Sequence, residues 1–119
     1  MSMKEIQREV IDLVYYPDYL AIHKERIMNK VPTYPVAVGT FKKQYSACMS
    51  HSTIDQLDSL DVETLVIHGA DDLLIFPECG KVLAERIPNT KLVMYPKAGH
   101  AVHVEKWSEI YPRLLDFLG

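Results

Sequence analysis

The pattern of apolar positions changes midway along the chain. Through residues 1 to about 60 they recur at helical spacing, and from residue 62 they condense into two short runs, each followed by a further helical pattern. Ile6, Val10, Leu13 and Val14 form the first helical stripe, and Ser2 with Glu5 has the spacing of a capping box that opens it. Tyr15-Tyr16-Pro17-Asp18 interrupts the stripe, and a second helix is predicted from Pro17 or Asp18 to about Asn29. Val31-Pro32-Thr33-Tyr34-Pro35 reads as a loop. A third helix is predicted over Val36 to Met49, with Gly39 as a weak point, and Ile54, Leu57 and Leu60 suggest one further short helical turn. This half is amphipathic and rich in Tyr and Met, suited to covering something rather than standing alone.

From residue 62 the order becomes strand, helix, strand, helix. Glu63-Thr64-Leu65-Val66-Ile67-His68 is a nearly continuous apolar run ending at Gly69, as suits a strand buried on both faces of a parallel sheet. Pro77 to Ile87 is predicted as a helix with proline in its first turn, terminated by Pro88-Asn89. Lys91-Leu92-Val93-Met94-Tyr95 is the second strand, closed by Pro96. The last helix carries Trp107, Ile110, Tyr111, Leu114, Leu115 and Leu118 on one face, and Pro112 within it predicts a kink or a delayed start. Two strands joined by a helical crossover form a parallel βαβ unit of right-handed sense.

Length and composition narrow the classes. The chain has 119 residues, 48% hydrophobic and 24% charged, enough for one modest domain. Its net charge of −3 and its scattered Lys and Arg offer no phosphate-binding face, so no nucleic-acid partner is expected. Charges occupy the N-terminus where a signal peptide needs an apolar run, and no stretch is long and apolar enough to span a membrane. A soluble, cytoplasmic protein without a membrane partner is the expectation. Cys48 and Cys79 show no metal-ligand spacing and are expected to be two buried thiols in a reducing compartment. With no ligand cluster in the sequence, neither metal nor cofactor is expected.

The candidate chemistry lies in the loops after the two strands, Gly69-Ala70-Asp71-Asp72-Leu73-Leu74-Ile75-Phe76-Pro77 and Pro96-Lys97-Ala98-Gly99-His100-Ala101-Val102-His103. Sites of open α/β sheets collect at the carboxyl ends of strands, so a carboxylate and a histidine in these loops can meet. His100 would then serve as general base and acid, with a carboxylate holding its tautomer. Singly, an Asp after a strand is commonly a cap or turn residue, and most Gly-His pairs are turns. It is the pair, in this order and placement, that carries the chemical reading.

These residues carry a family resemblance. Leu65-Val66-Ile67-His68-Gly69-Ala70-Asp71-Asp72, with Pro77 beyond, resembles the acid strand and loop of α/β-hydrolases. Leu83 to Val93 resembles the helix and final strand that follow. Ala98-Gly99-His100, Glu105 and the Leu114-Leu115-Asp116-Phe117-Leu118 helix resemble the histidine loop and closing helix. The resemblance implies a partial α/β-hydrolase fold: a helical, lid-like segment over 1–61, then the C-terminal β-α-β-α part of the core over 62–119, with two parallel strands. It makes Asp72 the acid, with Asp71 as fallback, and His100 the base. His103 is expected to start a helix or line the site, and His68 to be structural.

The resemblance has a gap. The family's nucleophile sits in a Gly-x-Ser-x-Gly elbow. None of Ser2, Ser46, Ser50, Ser52, Ser59 and Ser108 has those glycines, and Cys79, although followed by Gly80, lies in the helix after the acid loop. The oxyanion-hole loop is missing too. The expectation is therefore the C-terminal fragment or a truncated form of an esterase-like hydrolase, silent by itself, whose whole protein takes a small ester-like substrate. The alternative is a non-catalytic oligomerising module that keeps a remnant of the fold. Strand 63–68 also lacks the neighbour it has in the family's sheet, and bare strand edges and uncovered helix faces recruit other chains, so a homo-oligomer or a partner chain is expected.

Overall fold

The computed structural model describes residues 3–30 and 37–119. The helical half contains α1 (Met3–Val14), α2 (Pro17–Lys30) and α3 (Val38–Ser50), followed by a 3₁₀ turn over Ile54–Ser59. Then come β1 (Thr64–Gly69), α4 (Pro77–Arg86), β2 (Thr90–Tyr95), the single-turn α5 (Val102–Glu105) and α6 (Trp107–Leu118). The predicted elements are all present within a residue or two of their expected ends. Ser2 of the capping box, the loop 31–35 and the expected helix start at residue 36 lie outside the described residues.

β1 and β2 pair in parallel, in register from Thr64 beside Thr90 to Gly69 beside Tyr95. Alternate strand residues serve two faces. On one, α4 crosses both strands, and Gly80 sits so close to the His68 ring that a Cβ there would lie 2.9 Å from Nδ1. On the other, Ile67 and Val93 pack with Tyr95, Ala98, Val102, Ile110 and Leu114, the core that holds α5 and α6. The sheet is thus covered on both sides, as its apolar strands require.

One expectation is narrowed and one is corrected. Of the kink or delayed start expected from Pro112, the delayed start does not occur, since α6 begins at Trp107 and runs through Pro112. Proline removes one helical hydrogen bond, to the carbonyl of Ser108, and both residues are exposed, so water can take the carbonyl. The cysteines are not buried: both are free thiols at the surface. Cys48 rides on α3, which buries none of its residues, and Cys79 is on the first turn of α4, away from the sheet.

The helical half is tied to the rest at few points. Ile11 and Leu20 are buried, and Arg86 reaches from α4 to Asp58 at 3.0 Å beside the 3₁₀ turn. Much apolar surface is left over, including Ile6, Val10 and Leu13 on α1, Phe41, Tyr45 and Met49 on α3, and Trp107, Tyr111, Leu115 and Leu118 on α6. The accessible surface is 8958 Å², against about 6,600 Å² for a compact monomer of this mass. The radius of gyration is 16.7 Å, where about 13.5 Å is usual for this length.

Stability should therefore reside in a small region. Ile110→Ala, which empties a site only 2% exposed, should cost about 2–5 kcal/mol in urea unfolding. Leu118→Ala, on the bare end of the same stripe, should change it by less than about 0.5 kcal/mol.

Candidate active site

The two loops at the carboxyl ends of β1 and β2 are zipped together by backbone contacts. Ala70 N–H donates to the Tyr95 carbonyl at 2.8 Å, and Asp71 N–H to the Ala98 carbonyl at 3.0 Å. The side chain of Asp71 completes the seam by accepting from Lys97 N–H at 2.9 Å. Lys97 itself adopts a left-handed φ of 53°, which turns the chain back toward β1. Gly69 makes the approach possible, because a Cβ there would run into the carbonyls of Ala98 and Gly99.

That seam brings Asp72 to His100. His100 Nδ1 and Asp72 Oδ2 are 3.0 Å apart, with the carboxylate accepting the ring N–H. The other oxygen, Oδ1, accepts from Leu74 N–H and Ile75 N–H, both at 2.9 Å. Asp72 is 4% exposed whereas the His100 side chain is 41% exposed. Burial opposes ionisation of Asp72, but the hydrogen bonds from Ile75, His100 and Leu74, with the adjacent imidazole, outweigh it and hold its carboxyl below the ordinary aspartate range. A buried anion thus faces a more exposed imidazole through one defined ring nitrogen, an arrangement that fixes the tautomer and leaves Nε2 for proton transfer.

The other candidates fall elsewhere. Asp71 is engaged with Lys97 and the histidine loop rather than with the His100 ring. His68 packs against Gly80 and donates from Nε2 to the Ile75 carbonyl at 2.9 Å, with Asp72 Oδ2 at 3.5 Å, so it braces the acid loop. His103 lies in α5 and is exposed. Among the described residues no group of His, Cys, Asp and Glu is arranged to hold a metal ion, and no helix is long and apolar enough to cross a membrane.

Sequence reasoning missed two parts of this site. It gave Glu105 no task, yet its carboxylate accepts from Gly99 N–H and from Tyr16 N–H, both at 3.0 Å. It also treated Asp71 only as a substitute acid. The adjacent Asp-Asp pair after a strand was the available signal, since one of two neighbouring carboxylates is free to hold the loop while the other serves the imidazole.

The chain belongs to the alpha/beta hydrolase fold family, whose profile matches residues 26–106. It is 35% identical over 100 residues to a protein from Synechocystis sp. bearing the name non-heme chloroperoxidase, covering 79% of this chain and 36% of that protein. It is 32% identical over 85 residues to a bifunctional esterase/perhydrolase from Acinetobacter calcoaceticus, covering 68% of this chain and 31% of the relative. The enol-lactonase from Burkholderia xenovorans superposes with a TM-score of 0.75 over 98% of this chain and 45% of the lactonase, at 24% identity, a likeness of fold. The chain spans about a third of the length of the two sequence relatives and under half of the lactonase.

Because the Asp72 carboxyl lies below its ordinary range, the stability it contributes is complete above about pH 4 and is lost as the pH falls through the lowered folded value. Asp72→Ala, which orphans the Leu74 and Ile75 amides, should cost about 1–3 kcal/mol at neutral pH. Followed by circular dichroism, the difference from the parent chain should shrink once the pH falls below about 4.

Proposed function

We propose that this chain supplies the acid and the base of a Ser-His-Asp hydrolase of carboxylic-ester type, with the nucleophile contributed from outside these 119 residues. The observation that carries this reading is the 3.0 Å contact between His100 Nδ1 and the buried Asp72, in a chain of the alpha/beta hydrolase fold. A serine hydroxyl near Nε2 would attack the substrate carbonyl while His100 takes its proton. His100 would return that proton to the departing alcohol, then activate the water that cleaves the acyl-enzyme. Asp72 would keep Nδ1 protonated and stabilise the imidazolium formed at each step. The substrate is a small ester-like molecule, and residues 1–61 serve as the end of a lid over the core part 62–119. The names of the relatives, an esterase/perhydrolase among them, support this class.

The chain by itself should give only background hydrolysis of p-nitrophenyl acetate, since no serine in it stands in a glycine-flanked elbow. If the reading frame upstream of Met1 encodes a Gly-x-Ser-x-Gly elbow, the joined polypeptide should hydrolyse that ester and lose the activity on His100→Ala. Saturable turnover by the 119-residue chain, or joined activity indifferent to His100, would sink the proposal.

The apolar surface left over by the fold fits the same reading. The bare faces of α1 and α6 suit burial against the remainder of a larger sheet, and in isolation the chain should cover them by self-association. Sedimentation at micromolar concentration should find dimers or larger species, and a compact 13.6 kDa monomer would contradict this.

A further inference from the structure

Among the described residues, the backbone of the helical half is hydrogen-bonded to the histidine loop and α5 at the junction between α1 and α2. His100 is pinned from both sides there. On its C-terminal side, Ala101 N–H donates to the Val14 carbonyl at 3.0 Å. On its N-terminal side, Gly99 N–H donates to Glu105 Oε1, while the other oxygen of the same carboxylate accepts from Tyr16 N–H, both at 3.0 Å. Gly99 is pressed against the junction as well: a Cβ on it would lie 2.8 Å from Val14 O, 3.1 Å from Tyr16 N and 3.2 Å from the Tyr15 carbonyl carbon. The junction residues are far from this loop in sequence, so only the fold brings them together.

From these contacts we propose that Glu105 is a positioning residue that couples the α1–α2 junction to His100, so that the seating of the helical segment sets the hold of Asp72 on the imidazole. A carboxylate is the group that fits. Two N–H donors converge on it, and it presents one acceptor oxygen to each, with the added strength of a charged acceptor. Glutamine keeps one acceptor and turns an NH₂ donor toward the second N–H. When the junction lifts, Ala101 N–H loses the Val14 carbonyl, and Glu105 loses the Tyr16 amide that steadies its hold on Gly99 N–H. The amides on both sides of His100 are thus loosened, and the ring is freed to leave Asp72. The consequence for hydrolysis rests on His100 being the base, whereas the coupling itself does not.

Nitrogen-15 NMR of the imidazoles in the 119-residue chain, with amide hydrogen exchange, reads the coupling without turnover. In the parent chain His100 should be held as the Nδ1–H tautomer. Glu105→Gln should speed exchange at Tyr16 and Gly99 about tenfold or more and shift His100 toward the Nε2–H tautomer, with the Val66 and Val93 amides unchanged. Gly99→Ala should do the same with Glu105 intact, because its methyl pushes the junction away. The parent chain provides a third arm, in which the Tyr16, Gly99 and Ala101 amides should open at one common rate. Fast exchange at Tyr16 and Gly99 with the His100 tautomer unmoved would overturn the proposal, as would separate opening rates in the parent chain. If Glu105→Gln fails to fold, the other two arms decide. The failure of any hydrolytic assay bears on the proposed reaction and leaves these readouts untouched.

Discussion

The closeness of two backbone loops at Gly69 is the constraint on which the rest of the site depends. Parallel strands release their loops at the same edge, but adjacency of strands alone would leave Asp72 and His100 facing each other across a gap of variable width. The gap is closed because residue 69 has no side chain to hold the Ala98 and Gly99 carbonyls away. With the loops in contact, Ala70 and Asp71 use their amides on the histidine loop, and the Asp71 carboxylate caps Lys97 at its left-handed turn. Every amide so engaged is one that would otherwise need water, so the seam satisfies the backbone as it aligns the side chains.

The two neighbouring aspartates divide the work. Asp71 acts on backbone, across the seam. Asp72 acts within its own loop through Oδ1, which holds Leu74 and Ile75, and toward His100 through Oδ2. Holding one oxygen on fixed amides orients the other, so the direction of the bond to His100 is set by the backbone of the acid loop itself. His68 adds a brace from beneath by tying the Ile75 carbonyl. The carboxylate stays charged despite its burial because the donors that replace water around it are already in place.

The uneven distribution of packing has the same root. Two strands bury one compact core, and the helices that flank them carry apolar faces wider than two strands can cover. Ile110 finds a place in that core while Tyr111, Leu115 and Leu118 on the same helix do not. The α3 stripe of Phe41 and Tyr45, whose rings stack at 6.3 Å, faces nothing in the described structure. The chloroperoxidase-named relative and the enol-lactonase that the chain resembles are each more than twice as long as this chain.

The amino-acid sequence by itself determined the elements and their order, because periodicity, prolines and the glycine after β1 act locally. It also anticipated that Asp72 and His100 would meet, since loops leaving neighbouring parallel strands emerge at the same edge of the sheet. It misjudged Cys48 and Cys79, whose burial depends on which helix faces find a partner, and it left open whether Pro112 would delay the last helix. It placed Glu105 in the resemblance but gave it no role, for its two partners lie at Tyr16 and Gly99, with 89 positions separating it from the first. Only the tertiary structure decided those matters, for hydrogen bonds and burial between distant segments arise from the meeting of surfaces, and no local pattern records where those surfaces meet.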